Sequence, residues 1–338
     1  MNYIFELNHP KHYYQFKVIM SLLKKNGHSI KVLARDKDVL LKVLQEEGIR
    51  YEVFGVHKDS IVGKVFSSLG IYLQYKKIAK RFCPDAIVSK ASLYGVIVAK
   101  RLKCKSFIFP DSEVVPLTNT IVAPLASVII TPASFALDYG SKHKRIKGLF
   151  EDCYLSPDII KIDYNYPETH GLTRPYAILR FVGWTANHDV NNNGFSYEEK
   201  VTLVKSINRF MSVYISSERE LPKELAPFRL NTPAAHIHNV LANADLYVGD
   251  SQTMATEAAL LGTPAIRSNS FVGPRDMSNF KMLEDKGLLI NIKDYNLVLD
   301  KATEFARTSR KEDWLDKRKE YYLNVGNVNN DILKALEY

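Results

Sequence analysis

Apolar residues recur along the first 150 positions with two different periods. Short apolar runs predict buried strands, and they are separated by longer stretches in which apolar residues recur every three or four positions, as in helices. The predicted strands cover residues 3–7, 29–34, 51–54, 85–89, 106–109 and 127–131, and the predicted helices cover 13–26, 38–47, 65–82 and 92–103. Strands that alternate with helices are typical of a parallel, doubly wound α/β sheet.

This periodicity fades between residues 151 and 175, as expected of a linker, and then restarts. The second set comprises strands at 176–181, 212–217, 245–248 and 265–268, helices at 196–210, 234–244 and 254–261, and a C-terminal stretch, 297–338, that is helical except at Gly326. A chain of 338 residues suits two domains. We therefore expect an N-terminal α/β domain at 1–155, a C-terminal one at 170–325, and a last helix at 326–338 that packs back on the first domain.

The stretch from 245 to 268 contains a strand, a polar turn, a helix and a second strand. Asp250, Ser251 and Thr253 are candidate N-caps for this helix, and Gly262 ends it. A helix that begins at the carboxyl end of a parallel strand attracts phosphate through its unpaired N–H groups. Glu257 either accepts hydrogen bonds from sugar hydroxyls or only complements the helix dipole.

Charge is distributed unevenly between the two halves. Residues 1–150 hold 24 Lys and Arg against 11 Asp and Glu, whereas residues 151–338 hold 22 against 26. Basic clusters at 76–81, 100–105 and 142–147 suit contact with an anionic membrane or an acidic acceptor, or they form a solvated face. Because aromatic residues do not interleave with these clusters, a nucleic-acid partner is not expected.

Other classes of protein are disfavoured by what the sequence lacks. No apolar run reaches the roughly 18 residues that span a bilayer, and the N-terminus does not read as a signal peptide. We expect a cytoplasmic protein, with peripheral contact at the inner face of the membrane as an option. Cys83, Cys104 and Cys153 lie far apart, and the D-x-D of Asp36 and Asp38 is more typical of a helix cap than of a metal site.

Three segments resemble the GT-B superfamily, which contains nucleotide-sugar glycosyltransferases and non-hydrolysing UDP-N-acetylglucosamine 2-epimerases. They are HPKHYYQFKVIMSLLKKNGHSIKVLARDKD at 9–38, FEDCYLSPD at 150–158 and GDSQTMATEAALLGTPAIR at 249–267. The pattern is most similar to that of an uncharacterised archaeal and bacterial family of similar length. The resemblance implies two Rossmann-like doubly wound domains that face a cleft.

The resemblance also implies roles for individual residues. Glu257 corresponds to the carboxylate that holds the ribose of a uridine nucleotide, and Ser251, Gln252 and Thr253 lie near the phosphates. The epimerases carry a Gly-Gly pair where this chain has Gln252 and Thr253, which places hydroxyl and amide groups in the turn.

Polar residues after the other strands of the second domain complete the predicted nucleotide-sugar site. A strand-end arginine suits a diphosphate clamp, because its guanidinium binds phosphate through two hydrogen bonds. These candidates are Arg180, His188, Ser217, Glu218 and Arg219, with Arg267 expected at the rim, and each is equally compatible with an ordinary surface loop.

The first domain carries the candidate catalytic residues. His9 follows the first strand and is a candidate general base, or else a histidine tied to the backbone. Asp111 and Glu113 follow a later strand and suit an acid and base pair, or helix caps.

These residues favour a metal-independent glycosyltransferase that moves a sugar from a UDP-type donor to a hydroxyl acceptor, such as a glycan or a lipid-linked group. The alternatives are a UDP-sugar 2-epimerase and a non-catalytic nucleotide-sugar-binding protein. The epimerase ranks lower because the chain reads VSKAS near Lys90, where those enzymes carry an aspartate, so the expected set of carboxylates is incomplete. No cofactor is expected besides the UDP-sugar substrate.

Overall fold

The chain folds into two compact units. Unit 1 comprises Met1–Tyr154 with Gly326–Tyr338, and unit 2 comprises Leu155–Val325. The computed structural model describes residues 1–36, 40–55, 61–181, 195–217 and 220–337. Asp38, His188, Glu218 and Arg219 lie outside the described residues.

Unit 1 is built on a parallel sheet with helices between its strands. The strands are β1 (Asn2–Leu7), β2 (Ser29–Ala34), β3 (Tyr51–Val53), β4 (Ala86–Ser89), β5 (Lys105–Ile108), β6 (Val128–Pro132) and β7 (His143–Ile146). The first helices are α1 (Pro10–Lys25), α2 (Leu40–Glu46), α3 (Ile61–Phe82), α4 (Leu93–Leu102) and α5 (Ala123–Leu125), and α6 (Asp152–Leu155) crosses the boundary between the units. Among the described strands the order is β3-β2-β1-β4-β5-β6-β7, with neighbours parallel throughout.

Unit 2 has a smaller sheet of the same kind. Its strands are β8 (Tyr176–Arg180), β9 (Ser212–Ser216), β10 (Leu246–Gly249), β11 (Ala265–Arg267) and β12 (Ile290–Asn291), and their order over the described residues is β12-β11-β10-β8-β9. Its helices are α7 (Tyr166–Thr169), α8 (Tyr197–Ile207), α9 (Ile237–Asn243), α10 (Gln252–Leu260), α11 (Ser278–Asp285), α12 (Tyr295–Thr308) and α13 (Lys311–Val325). The predicted α/β class with parallel sheets is confirmed.

The last helix, α14 (Val328–Glu337), belongs to unit 1 although it follows unit 2 in the sequence. It packs against α1 and β7 and buries Val328, Ile332 and Leu336. The side chain of Asn329 donates a hydrogen bond to the carbonyl of Cys153 at 3.0 Å. The chain therefore returns to unit 1 after it has completed unit 2.

Several elements differ from the pattern-based prediction. Strand β7 was not predicted, because its sequence HKRI has one apolar residue. Helix α11 and strand β12 were also missed, and both are short. The C-terminal helical stretch breaks at Ser309, whose φ is 40°, as well as near Gly326. Helix α10 begins at Gln252, two residues earlier than expected.

The segment that leads into β8 is packed rather than extended as a linker. Tyr166 is buried, and its hydroxyl lies 3.0 Å from Nδ1 of His236. The backbone N–H of Asp163 donates to the side chain of Asn239, and Arg174 binds the side chain of Asn243. Over the residues that the structure describes, no helix is both long enough and apolar enough to cross a membrane.

Candidate functional site

In unit 2, β9 lies on one side of β8 and β10 lies on the other, so the order of the strands reverses between β8 and β10. In open α/β sheets, ligands bind at such a reversal, beyond the carboxyl ends of the strands. Gly249 ends β10 there. A Cβ on Gly249 would lie far inside contact distance of the Arg180 carbonyl oxygen, so only glycine lets the two strands end this close together. The N–H of Asp250 then donates to that carbonyl at 3.2 Å.

The chain next turns into α10, whose N-terminus lies at this reversal point. Ser251 is the N-cap, and its hydroxyl accepts a hydrogen bond from the N–H of Met254 at 3.4 Å. Of the three candidate caps in the sequence, Ser251 is thus the one used. The first N–H groups of a helix have no partner within the helix, so those of Gln252 and Thr253 are suited to bind an anion.

Glu257 is the sixth residue of α10, beyond the first turn. It is buried, and its Oε1 lies 3.4 Å from Nε2 of His238 on α9. His238 is absent from the sequence-based site, and no local pattern indicates it, because the contact arises from the packing of α9 on α10. Burial raises the pKa of the nearby Tyr247 hydroxyl, which donates to the carbonyl of Ser251 at 3.4 Å.

Two further predicted residues follow neighbouring strands. Nη1 of Arg180 at the end of β8 lies 3.5 Å from the Ser216 hydroxyl, and Ser217 follows β9 half-buried. Because β8 and β9 are adjacent parallel strands, Arg180 and Ser217 lie at the same edge of the sheet as the start of α10. His188, Glu218 and Arg219 fall outside the described residues.

Arg267 does not lie at the rim of the site, and that expectation is wrong. Its side chain is fully buried, forms an ion pair with Asp276, donates from Nε to Asn291 at 2.8 Å and stacks 3.5 Å above the ring of Phe280. Arg267 is the last residue of β11, which lies between β10 and β12. Its ion pair with Asp276 holds the loop before α11.

A cavity of about 200 Å³ lies at the opposite, amino-terminal edge of the sheet in unit 2, lined in part by Arg174, Asp245 and Lys311. The Lys311 ammonium donates to the carbonyls of Ala242 and Ala244 and to the Thr263 hydroxyl, at 2.6 to 2.8 Å. These three hydrogen bonds use all the donors of the ammonium group, and two of them satisfy backbone carbonyls at the C-terminus of α9. Lys311 therefore has a structural role.

Unit 1 has its own strand reversal, between β1 and β4, and a charged cluster surrounds it. The cluster comprises Lys11, Lys90, Asp111 and Glu151. Nζ of Lys90 lies 3.4 Å from Oδ2 of Asp111 and 3.9 Å from the centre of the Phe150 ring. Nζ of Lys11 lies 2.7 Å from Glu151 and 4.0 Å from Asp111.

The charged cluster shifts the pKa values of Lys90 and Asp111. Burial lowers the pKa of Lys90 to about 8, although Asp111 favours its charged form. Burial alone would raise the pKa of Asp111, but the ammonium groups of Lys90 and Lys11 outweigh it and lower that pKa to about 2. The side chain of Asp111 is 47% exposed and that of Lys90 is 5% exposed. The structure thus presents an ionised carboxylate backed by a buried ammonium group.

Two histidines flank the charged cluster. Burial lowers the pKa of His12 well below its usual value, and its Nδ1 accepts the N–H of Asn8 at 3.1 Å. The predicted base His9 is exposed at the N-cap of α1, where its Nδ1 accepts the N–H of Lys11 at 3.1 Å. With Nδ1 occupied, each neutral ring presents Nε2–H as a donor. A base role for His9 requires its ring to leave this cap.

The carboxylates of Asp111 and Glu113 bind different groups. Oε1 of Glu113 accepts the N–H of Ala136 at 3.2 Å, whereas Asp111 pairs with the lysines. Of the three predicted catalytic residues, Asp111 therefore belongs to the charged cluster, whereas His9 and Glu113 accept backbone N–H groups. Lys11 and Glu151 were missed, although both lie within the segments that resemble GT-B proteins. Within the described part of the chain, no group of three His, Cys, Asp or Glu side chains is arranged to hold a metal ion.

Solved structures match the whole chain. The UDP-GlcNAc 2-epimerase from Methanocaldococcus jannaschii is 15% identical, with full coverage of both chains and a TM-score of 0.71. The chain has the GT-B fold. MurG of Acinetobacter baumannii is 16% identical, with coverage of 100% of this chain and 99% of that one and a TM-score of 0.61. The spinosyn forosaminyltransferase SpnP is 14% identical, with coverage of 100% of this chain and 98% of that one and a TM-score of 0.66.

The GT-B fold is thus established by structure and not by sequence similarity. No protein-family model matches the chain, and no curated protein matches its sequence. The predicted resemblance to the GT-B superfamily is confirmed at the level of fold. The likeness to an uncharacterised archaeal and bacterial family stays a prediction.

Proposed function

We propose that this protein is a glycosyltransferase that moves a sugar from a UDP-type nucleotide sugar to a hydroxyl acceptor without a bound metal. The observation that carries the proposal is the helix α10, which begins at the β8/β10 reversal with Ser251 as its cap and holds Glu257 buried one turn further on. Solved structures with the same fold include a UDP-GlcNAc 2-epimerase in complex with UDP-GlcNAc and UDP.

In this proposal the donor binds to unit 2. The diphosphate accepts hydrogen bonds from the N–H groups of Gln252 and Thr253, where the helix dipole also favours negative charge. Glu257 accepts hydrogen bonds from the ribose hydroxyls. Arg180, from the adjacent strand, stabilises the charge that develops on the diphosphate as it leaves, which replaces a metal ion.

The acceptor hydroxyl binds to unit 1, where Asp111 accepts its hydrogen bond. Because Lys90 and Lys11 keep Asp111 ionised, the carboxylate is an acceptor at every physiological pH. It orients the hydroxyl oxygen for attack on the anomeric carbon and stabilises the positive charge that grows on this oxygen as the bond from that carbon to the diphosphate breaks. The hydroxyl proton passes to water, because Asp111 is too weak a base to retain it. Lys90 is a positioning residue, since it acts through Asp111.

A UDP-sugar 2-epimerase is the second candidate, because epimerases with TM-scores of 0.70 to 0.72 are among the structural neighbours. Elimination and re-addition across the sugar ring require an acid as well as a base. The pKa of about 2 makes Asp111 a poor proton donor, and the chain reads VSKAS near Lys90, where the resemblance to the epimerases implies an aspartate. These features favour the transferase.

The donor site is tested by calorimetric titration with UDP. Hydrogen bonds to a charged group contribute roughly 1.5–3 kcal/mol, so Glu257→Gln should weaken UDP affinity by about tenfold or more. Glu320→Gln, an exposed glutamate of unit 2 on α13, is the matched control and should leave the affinity unchanged. An unaltered Kd in Glu257→Gln would exclude the ribose role.

Activity separates the three candidate functions. Incubation with a UDP-sugar is followed by NMR, with and without hydroxyl acceptors. Release of UDP that depends on an acceptor supports the transferase. Interconversion of the sugar in the absence of acceptor overturns it in favour of the epimerase, and UDP binding without turnover of any UDP-sugar tested overturns it in favour of a binding protein.

A further inference from the structure

A segment of unit 1 exposes an unusual number of large apolar side chains. Val114, Val115, Leu117 and Ile121, which we call the apolar segment, are between 42% and 56% exposed and lie within eight residues of one another. Single exposed apolar residues are ordinary on protein surfaces, but a contiguous group marks a surface that meets a partner.

The apolar segment is held in place by its own hydrogen bonds and by the core. The side chain of Asn119 donates to the Glu113 carbonyl at 2.7 Å and accepts from the Tyr139 hydroxyl at 2.7 Å. Val122 and Ala123, which follow directly, are buried against Val96 of α4. The four side chains therefore stay exposed because the backbone around them is fixed.

The charges around this surface indicate its partner. Residues 114–127 contain no charged residue, Glu113 directly precedes them, and the basic stretch 142–147 follows later in the chain. Nζ of Lys142 donates to the carbonyls of Ala123 and Pro124 at 2.6 and 3.0 Å. An apolar segment beside a basic stretch matches the surface of an anionic bilayer, in which apolar side chains enter the acyl region and the positive field of the basic residues attracts the headgroups.

A second copy of the chain fits this surface less well. Stable protein interfaces bury about 800 Å² on each partner, far more than four side chains provide. Residues 1–150 also carry 24 basic against 11 acidic residues, so two copies would repel each other.

We propose that the apolar segment of unit 1 inserts into the surface of an anionic lipid bilayer, with the basic stretch 142–147 against the headgroups. Asp111 lies three residues before the first apolar side chain. If the proposed function holds, the acceptor is a hydroxyl carried by a membrane lipid. This assignment of the acceptor rests on the proposed function, whereas the membrane contact is independent of it.

The contact is tested by sedimentation of the full-length protein with vesicles of phosphatidylcholine and phosphatidylglycerol in equal parts. The wild type should bind at low salt and lose much of its binding at high salt or with phosphatidylcholine alone. Replacing both Leu117 and Ile121 by serine should weaken binding roughly tenfold for each side chain removed from the bilayer. Leu323→Ser, which alters an 84% exposed leucine on α13, should bind as the wild type does.

Circular dichroism and hydrogen exchange in β4 and β5 of each variant report whether unit 1 has folded, and neither measurement depends on lipid or on UDP. Absence of vesicle binding by the wild type at low salt would overturn the proposal, as would undiminished binding by the double variant. A dimer in solution that this variant converts to a monomer would overturn it in favour of self-association. Because the assay contains no sugar donor, failure of the membrane contact is distinguishable from failure of the transferase.

Discussion

Lys90 and Asp111 show how burial and charge act against each other on single residues. Burial disfavours the charged form of both groups, yet each is the other's counter-ion at 3.4 Å. The outcome differs because Lys90 is the more deeply buried group and the charge of Lys11 also disfavours its ammonium form, whereas Asp111 is partly exposed and has two lysines beside it. The sequence contains both residues but not this difference, which depends on the three-dimensional arrangement.

Replacing Lys90 by methionine should raise the pKa of Asp111 from about 2 toward its ordinary value, because the nearer cation is lost. The ionised Asp111 stabilises the native state above its unfolded pKa, and this contribution is lost as the pH falls from about 4 to about 2. The variant should therefore lose less stability in this range. NMR titration of selectively labelled aspartate carboxyl carbons measures the shift.

Lys17→Met is the control for that titration, since Lys17 pairs with Glu47 and not with the charged cluster. Its Asp111 should titrate as in the wild type. An Asp111 that still titrates near its present value in Lys90→Met would show that Lys11 alone holds it ionised.

At the scale of elements, α10 depends on both of its ends. Ser251 caps the start, and Gly262 follows the end with a φ of +79°. The sequence indicates both, since serine and glycine are the residues favoured at those positions. It does not indicate that Gly262 also faces α13, where an added Cβ would lie 2.8 Å from a methyl group of Leu315.

Gly262→Ala should therefore lower the free energy of unfolding by more than the backbone strain alone accounts for. Adopting a positive φ costs alanine about 1 kcal/mol, and crowding against Leu315 adds roughly 1–3 kcal/mol. Gly171→Ala is the matched control, because its φ is +71° but an added Cβ meets nothing within 4 Å. Denaturant unfolding should show the larger loss for Gly262→Ala, and equal losses would contradict the packing argument.

Strand β7 is the element whose prediction failed for a clear physical reason. Its neighbour in the sheet is β6, and it is polar in three of its four residues. A strand at the edge of a sheet needs few apolar residues, so hydrophobic periodicity does not reveal it. Central strands such as β1 and β4 are buried on both faces and were predicted to within one residue.

At the scale of the whole molecule, the last helix joins the unit that the chain formed first. α14 buries Ile332 completely within unit 1, and the Tyr3 hydroxyl of β1 donates to the carbonyl of Leu336 at 3.3 Å. Unit 1 is therefore built from two separate pieces of the sequence, and its core is complete only when α14 has been added.

Ile332→Ala should destabilise unit 1 by about 2–5 kcal/mol, the usual cost of such a cavity. Hydrogen exchange should become faster in β1 and α1 and stay unchanged in β8 and β10. Leu323→Ala, at an 84% exposed position of α13, should alter stability by no more than about 0.5 kcal/mol. Faster exchange in unit 2 alone would contradict the assignment of α14 to unit 1.

The sequence by itself determined the α/β class, most strands of the two sheets and the helix that carries Ser251 and Glu257, because these follow from local periodicity and capping. Tertiary structure decided which polar residues meet. It buried Arg267 against Asp276, brought His238 to Glu257 and gathered Lys11, Lys90, Asp111 and Glu151 around one strand reversal. Such contacts join residues that are distant along the chain, and only the packing of elements, which no local pattern encodes, brings them together.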